Sequence, residues 1–473
     1  MQLSRIFDNI MGERYRIKEQ DITAIEFDSR KVRPGALFVA LSGDRYDGHD
    51  FVKSALEKGA RALVVQKRMD ADIPQFIVPD TRAVLGKIAR NFYGGFPDMT
   101  KIAITGTNGK TTTSFLIRSI LEMSGRKTAL IGTIYYIGRT KIKAVRTTPE
   151  SLDIFKLMKG FHDQGMSALV MEVSSHALAL KRVDELRFKA GVFTNLSQDH
   201  LDFHHSMDHY RQTKLRIFSL LEPGGWAIFN MDDPTSDSIK ELGLKHTLTY
   251  GMINKSDVRA RIIEDTIDGL NIEINHAGRD FMVRSQLIGT YNVYNILGAF
   301  SVALCLDIGP DTAVRGIGEV KCIKGRMEPI AQNIFIDYAH TPSALEQALI
   351  SLKQYTRGRL IIVFGCGGDR DIEKRPQMGA AATRLADLTI ITSDNPRSES
   401  PQRIIDGIVN GVVNERYRII ENREQAIKTA IREKKDEDIL LIAGKGHEDY
   451  QIIGDKVTAF DDAEVIRKCT TRS

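Results

Sequence analysis

Short apolar runs alternate with longer amphipathic ones along most of the chain. From about residue 328 onward the alternation is regular: IFIDYA, helical SALEQALISLKQY, RLIIVFG, helical QMGAAATRLAD, LTIITS, helical PQRIIDGIVNGVV and EQAIKTAIREKK, then DILLIAG. Strand-length apolar runs separated by helices of ten or more residues predict a parallel sheet covered on both faces. In such a sheet ligands sit where strands end and helices begin. The loops GCGGDRD, SDNPRSE and GKGHEDYQ are therefore the places to look for chemistry.

Two earlier stretches differ in texture. The first, to about Asp98, mixes strand-like GALFVAL, RALVVQ and QFIVP with helical FVKSALEKGA, and ends in the turn-rich linker YGGFPDMT. Its first twenty residues alternate charge with apolar positions and read as an ordinary helix, not a signal peptide. The second opens with the strand TKIAIT, turns through GTNGKTTT and continues as the amphipathic helix SFLIRSILEMSG. Residues 285–306 form a long uncharged run, but Gly289, Thr290, Asn292 and Asn295 interrupt it, so ILGAFSVALCL reads as a buried core helix rather than a membrane span. No repeat is apparent. The expected fold class is α/β in three domains, residues 1–98, 99–327 and 328–473.

Composition narrows the function classes. With 473 residues, 42% hydrophobic and 27% charged, the chain is long enough for several cores and is neither disordered nor fibrous. The net charge of +5 is spread along the length, which argues against nucleic acid as a partner. Cys305, Cys322, Cys366 and Cys469 are too few and too far apart for a disulfide framework, and none forms a CxxC pair. A reducing, cytoplasmic location is expected, with no membrane contact.

The sharpest chemical signal lies at residues 106–112. Phosphate binding needs converging backbone N–H groups, glycines that permit that path, a lysine for charge and a hydroxyl for Mg²⁺. Gly106, Thr107, Asn108, Gly109, Lys110, Thr111 and Thr112 supply all four between a strand and a helix. Ile104 stands where the longer P-loop pattern has its first glycine, so this is a shortened variant, and it points to ATP or GTP. The bland reading, a glycine turn with an incidental lysine, leaves the flanking strand and helix unexplained.

Glu172, at the end of a strand-like SALV run, is suited to hold Mg²⁺. His200 could face a second cation or a transferring phosphate. His200 and His204 have the i, i+4 spacing of a zinc helix but lack the glutamate after the first histidine, and singly each histidine is as readily a surface residue. Lys214 reads as a solvated helix lysine. GCGGDR opens like a dinucleotide fingerprint, but Arg370 occupies the third glycine position. Arg370 and Arg397 are either carboxylate clamps or surface ion pairs.

The ordered motifs GTNGKTTT, MEVSSHAL, TNLSQDHLDFH, YNVYNILGA, GRME, DYAHTP, GCGGDRD, DNPR and AGKGHEDYQ closely resemble those of the Mur ligases of bacterial peptidoglycan synthesis, and DSRKVRPGALFVAL extends the likeness to the start of the chain. The resemblance implies an N-terminal domain for a UDP-sugar, a central P-loop ATPase-like parallel sheet and a Rossmann-like C-terminal domain for an incoming amino acid. It implies an ADP-forming ligase that adds meso-2,6-diaminopimelate to the D-glutamyl γ-carboxylate of UDP-N-acetylmuramoyl-L-alanyl-D-glutamate through an acyl phosphate. Sister activities on the same scaffold are L-lysine addition and folylpolyglutamate synthesis. An ATP-driven switch or nucleic-acid-stimulated ATPase is the alternative from another class.

Carried over residue by residue, the resemblance gives Lys110, Glu172, His200 and Lys214 catalytic roles. Thr111 and Glu172 would bind one Mg²⁺; His200 and Lys214, the latter as a CO₂-derived carbamate (N6-carboxylysine), would bind a second. Asn292, Asn295, Arg326 and Asp337 fall around ATP, with His340 in the same motif as Asp337. Ser29, Thr147, Thr148, Ser174 and Arg182 fall on the UDP-sugar peptide. Arg370, Asp394, Asn395, Pro396, Arg397, Gly444 and Glu448 form the amino-acid pocket, where DNPR accompanies diaminopimelate. Leu180 departs from a glutamine of the family pattern. The implied partners are small molecules only, and the implied state is a monomer.

Overall fold

The structure is a computed structural model that describes residues 1–10, 19–43 and 46–471. It is an α/β protein whose chain divides into two compact units. One comprises Met1–Ala103, Arg126–Lys189 and Arg216–Gly225; the other comprises Ile104–Gly125, Ala190–Leu215 and Trp226–Ser473.

In the first unit the strands Ala24–Glu26, Ala36–Val39, Ala62–Val65 and Gln75–Ile77 form a parallel sheet in sequence order. Their alternate residues Phe38, Leu63 and Val65 meet Val52 and Ala55 of the helix Val52–Glu57, which is the predicted FVKSALEKGA helix shortened at both ends. The N-terminal helix expectation needs correction. Only Leu3–Ile6 is helical before a turn, and the stretch from 11 to 18 lies outside the described residues. The helix Thr81–Tyr93, which the sequence reading passed over, starts at Asp80, whose carboxylate accepts from the backbone N–H of Arg82 and Ala83. It packs on the helix Ser151–Asp163. The strand Thr128–Ile131 pairs in parallel with Ala168–Glu172, and so brings Glu172 to a strand end.

In the second unit the predicted core helix is Tyr291–Cys305, buried along almost its whole length against Lys110–Met123. Val258–Thr266, Gly269–His276 and Arg279–Ser285 form an antiparallel meander. Every second residue of the last strand is buried in its C-terminal half, the pattern of a sheet with one wet face.

The C-terminal sheet shows how sequence becomes architecture. Its six strands run Glu328–Ala331, Ile334–Asp337, Ile439–Ala443, Leu360–Phe364, Leu388–Ile391 and Tyr417–Ile419, all parallel except the first. Side chains alternate across a strand. Leu360, Ile362 and Phe364 therefore face the helices Pro342–Lys353, Lys374–Leu385 and Pro401–Val409, while Ile361 and Val363 face Arg423–Glu433 and Asp462–Thr470. Burying each such side chain contributes roughly 1.5–3 kcal/mol, on both faces at once. This is the doubly covered sheet that the regular alternation predicts. Among the described residues no helix is long and apolar enough to cross a membrane.

Candidate active site

The strand Thr100–Thr105 ends at a tight loop, and the helix Lys110–Met123 begins immediately after it. Gly106 has φ +140° and Gly109 +84°. A Cβ on Gly106 would collide with the Thr194 hydroxyl, and one on Gly109 with the Asn295 amide oxygen. The glycines are thus required by both backbone angle and space.

Around them the loop is tied down by a segment far away in sequence. Thr107 N donates to Asn195 O (2.8 Å), Asn108 N to Asn195 Oδ1 (2.9 Å), and Thr194 Oγ1 to Asn108 O (2.6 Å). Lys110 Nζ donates to the carbonyls of Gly106 and Thr107, each at 2.8 Å, which curls its ammonium over the loop. The result is a helix N-terminus with a lysine and two threonines above it, the arrangement that receives phosphates.

Lys214 is not a solvated lysine. It is fully buried on the helix Met207–Leu215, and its Nζ donates to Gly106 O at 2.7 Å. Burial, together with the neighbouring charge of Lys110, pushes its pKa well below the ordinary lysine value against the pull of Asp199. His200 sits in the left-handed region at φ +56° and faces Asp199, 3.3 Å from Nε2. His340 approaches the same carboxylate at 3.7 Å. Burial works to raise the Asp199 pKa, but the hydrogen bond from His340 and the charges of His200, His340 and Lys374 hold it well below the usual range.

Arg326 Nη2 donates to Thr111 Oγ1 at 3.0 Å, and its guanidinium lies 4.7 Å from the Tyr338 ring centroid. Asn295 Nδ2 donates to Asn292 Oδ1 (2.9 Å), and Thr113 links the pair to the loop helix. Asp337 accepts from Met327 N at 2.6 Å, and burial raises its pKa. These four residues converge on the loop helix or on the strand end beside Arg326.

In the C-terminal part of the same unit, Asn395 Nδ2 donates to Glu448 Oε2 at 2.7 Å. Arg397 has φ +54°, and its Nη1 donates to Gly368 O at 2.6 Å. Gly444 follows the strand Ile439–Ala443 beside Asp394, and Pro396, between Asn395 and Arg397 in the chain, is buried. Burial and the charge of Asp394 raise the Glu448 pKa. Arg370 is exposed, with one bond to its neighbour's carbonyl. Sequence reasoning missed Lys445, which is completely buried and directs Nζ at Asn395 Oδ1 (3.3 Å), Tyr450 O (2.5 Å) and Glu448 (3.6 Å). It also missed Arg375 and Glu399, a bidentate pair that holds Asp369 N. A lysine within GKGHE carries no periodic signal of burial.

The first unit collects the other set. Glu172 is buried and accepts from Thr133 N (3.0 Å) and Thr133 Oγ1 (2.8 Å), while Thr133 Oγ1 also lies 3.1 Å from Thr147 Oγ1. Thr148 Oγ1 donates to Glu172 O at 2.9 Å and accepts from Ser174 N. Ser174 caps the short helix Ser175–Ala179, and Arg182 Nη1 donates to Thr148 O at 3.1 Å. Ser29 is buried at the start of a 3₁₀ turn, and Lys58 donates to its carbonyl. Among the described residues no group of three or more His, Cys, Asp or Glu side chains could hold a metal ion.

A glycine loop between a strand end and a helix, with a lysine and threonines, marks a nucleotide-binding α/β protein, and the comparisons give its class as an ATP-dependent ligase. Residues 21–93 match the Mur ligase family catalytic domain, 104–303 the Mur ligase middle domain, and 325–446 the Mur ligase glutamate ligase domain. The UDP-N-acetylmuramoyl-L-alanyl-D-glutamate–2,6-diaminopimelate ligase of Bacillus velezensis is 43% identical over 98% of each chain. Its counterpart in Clostridium tetani is 43% identical over 95% of each. A solved structure of a ligase of that name superposes with TM-score 0.69 at 30% identity, covering 100% of this chain and 99% of that one. The fold is also that of a MurF ligase from Thermotoga maritima (TM-score 0.69, 20% identity, 95% and 98% covered). The chain belongs to the Mur ligase family.

Proposed function

We propose that the chain joins meso-2,6-diaminopimelate to the D-glutamyl γ-carboxylate of UDP-N-acetylmuramoyl-L-alanyl-D-glutamate, with ATP converted to ADP and phosphate, in the cytoplasm and as a monomer. The near full-length 43% identity to ligases of that name carries this reading. The three family segments support a division into an N-terminal domain (1–98) for the UDP-sugar, a central domain (99–327) for ATP and a C-terminal domain (328–473) for the amino acid.

A carboxylate does not condense with an amine at neutral pH unless it gains a better leaving group. A γ-carboxylate oxygen attacks the terminal phosphorus of ATP, the bond to ADP breaks, and an acyl phosphate results. The amine of diaminopimelate then attacks the acyl carbon, phosphate leaves, and the nitrogen loses a proton. Lys110 and the backbone N–H groups of residues 106–112 stabilise charge on the phosphoryl group, and Asn292, Asn295, Arg326 and Asp337 orient the nucleotide. Thr147, Thr148, Ser174 and Arg182, with Ser29, hold the acceptor. Arg397, with Asn395, Glu448 and Arg370, receives the distal end of diaminopimelate, whose carboxylate L-lysine lacks.

Magnesium takes oxygen ligands, and the family use of Mg²⁺ points to these side chains one by one. Thr111 offers a hydroxyl, Glu172 a buried carboxylate and His200 an imidazole. Lys214, buried against Gly106 O with its pKa pushed down by burial and the charge of Lys110, is suited to capture CO₂ with release of a proton, which would convert a repelling cation into an anionic ligand. Bound Mg²⁺, in one or two sites, would offset phosphate charge.

The test is ADP release by the purified chain supplied with ATP, Mg²⁺ and the UDP-muramoyl dipeptide, with diaminopimelate, L-lysine or neither. ADP formation that depends on diaminopimelate and needs no nucleic acid is expected. Equal turnover with lysine would overturn the amino-acid assignment, and a failure with every amino acid would overturn the reaction.

A further inference from the structure

Lys101, Lys214, Lys374 and Lys445 are the buried lysines among the described residues. An ammonium withdrawn from water needs acceptors or a counter-charge close by, which is why lysine is seldom buried unpaired. Three of them have such partners. Lys101 Nζ donates to Phe96 O (2.7 Å) and Met99 O (2.9 Å), Lys214 Nζ to Gly106 O, and Lys445 Nζ to Tyr450 O and Asn395 Oδ1. Lys374 is the exception. It is 4% exposed at the first position of the helix Lys374–Leu385, and among the described residues its ammonium has neither a hydrogen-bond acceptor nor a carboxylate within ion-pair distance.

The surrounding bonds place it close to the phosphate loop. Asp371, three residues earlier and also buried, accepts from Glu373 N at 2.9 Å and from Gln198 Nε2 at 3.5 Å. Gln198 lies in the segment that ties the loop down: Ser197 N donates to Thr107 Oγ1 (3.0 Å), and that hydroxyl donates to Ser197 O (3.1 Å). Asp199 follows, and its carboxylate feels the charge of Lys374 together with those of His200 and His340. Arg375, next along the helix, is held by two bonds to Glu399, so the start of the helix is anchored. Lys374 thus joins Asp199, His200 and His340 in a charged cluster one segment away from residues 106–112. A carboxylate beyond ion-pair distance offsets only part of a buried charge, because attraction falls with separation while the loss of hydration does not. The remainder calls for an anion.

We propose that Lys374 is a further catalytic residue, whose ammonium bonds a non-bridging oxygen of the phosphoryl group as that group passes from ATP to the γ-carboxylate. This rests on the reaction proposed above and adds a charge which that reaction does not yet use. No covalent bond to the lysine forms. The bond from carboxylate oxygen to phosphorus forms as the bond to ADP breaks, and the ammonium keeps its protons while it offsets charge on the transferring oxygens. Lys374 follows the loop that carries Arg370, so the first step draws on the part of the chain that receives the amino acid.

Rapid-quench single turnovers of the full chain test it, with enzyme in excess of ATP and with Mg²⁺, UDP-muramoyl dipeptide and diaminopimelate saturating, because they read ADP formation directly. Lys374→Met and Lys374→Gln should slow it by about 10²–10³-fold, and Lys374→Arg, which keeps a charge, should fall between them and the wild type. Calorimetric titration with ADP, which lacks the transferring group, should give each variant a Kd within about twofold of the wild type. The urea midpoint of Lys374→Met should be no lower than that of the wild type, since an unpaired buried charge is removed. Should Lys374→Met alone fail to fold, Lys374→Gln and Lys374→Arg carry the test. ADP formation at the wild-type rate in Lys374→Gln overturns the proposal; a raised KM for diaminopimelate in that case assigns the ammonium to a carboxylate of the amino acid instead. Lowered midpoints and weakened ADP binding in all three variants would make Lys374 a structural lysine and overturn it as well. A wild type that forms no ADP with any amino acid removes the reaction, and this proposal with it.

Discussion

Lys110 and Lys214 both donate to the same carbonyl, Gly106 O, yet sit in different surroundings. Lys110 begins the loop helix and is only partly buried, which leaves its ammonium open to a ligand, whereas Lys214 is sealed in, and burial with the neighbouring charge of Lys110 pushes its pKa well below the ordinary lysine value. Lys110→Ala should lower kcat by about 10²–10³-fold, the scale of one lost electrostatic stabiliser, with an unchanged circular-dichroism spectrum. Arg397 spends Nη1 on Gly368 O, which fixes the fork. If Arg397 receives the distal carboxylate of diaminopimelate as proposed, removing it would leave that desolvated carboxylate without a partner, at a cost of roughly 2–5 kcal/mol. Arg397→Ala should accordingly raise KM for diaminopimelate by at least about thirtyfold and leave KM for ATP alone. Steady-state kinetics with each substrate varied in turn decides this.

At the scale of elements, the C-terminal sheet depends on a pair that is wholly buried. Arg423, at the start of the helix Arg423–Glu433, gives Asp462 two bonds of 2.8 Å and gives Ala443 O a third of 3.0 Å, just ahead of Gly444. This joins two helices to the end of the strand that leads to Gly444. Arg423→Met should cost about 3–5 kcal/mol by stranding a buried carboxylate, and the double change Arg423→Met with Asp462→Leu should recover most of it. Urea unfolding midpoints separate the two outcomes. Elements were legible where period and length agreed: the strands Leu360–Phe364 and Ile439–Ala443 and the helix Lys110–Met123 follow from pattern alone. The helix Thr81–Tyr93 and the antiparallel meander were passed over, although Asp80 is a capping residue and RDFMVRS alternates. The N-terminal stretch erred the other way, since its helix stops at Ile6.

Over the whole molecule, many carboxylates are held in ion pairs. Hydrogen bonds from Arg375 depress the Glu399 pKa. Against partial burial, which would raise them, Lys353 lowers that of Asp387 and Arg359 that of Asp438. A carboxyl with a folded-state pKa below its unfolded one contributes stability that is complete above the unfolded value, near pH 4, and vanishes as pH falls through the folded value. The urea midpoint should thus change little from about pH 7 to 5.5 and drop steeply below about pH 4. A midpoint that stayed level to pH 3 would contradict this. Thiol reactivity offers a second check on the same fold. Burial pushes Cys305 and Cys366 up to about 12, whereas Cys322 is exposed, so an alkylating reagent at neutral pH should label Cys322 well before either.

The sequence by itself determined what depends on neighbours in the chain: the two-faced strands, the glycine loop and its lysine, and the ordered motifs that mark the family. A phosphate loop is readable because its glycines, charge and hydroxyl fall within seven residues, 106–112. Only the tertiary structure decided that Asn195 would hold the loop, that Lys214 would be stripped of water, that Lys445 would sit between Asn395 and Glu448, and that Lys374 would be buried with no acceptor among the described residues. Each of these joins residues distant in the chain or turns on burial. No period along the chain encodes either, because desolvation and charge are set by what folds against a side chain.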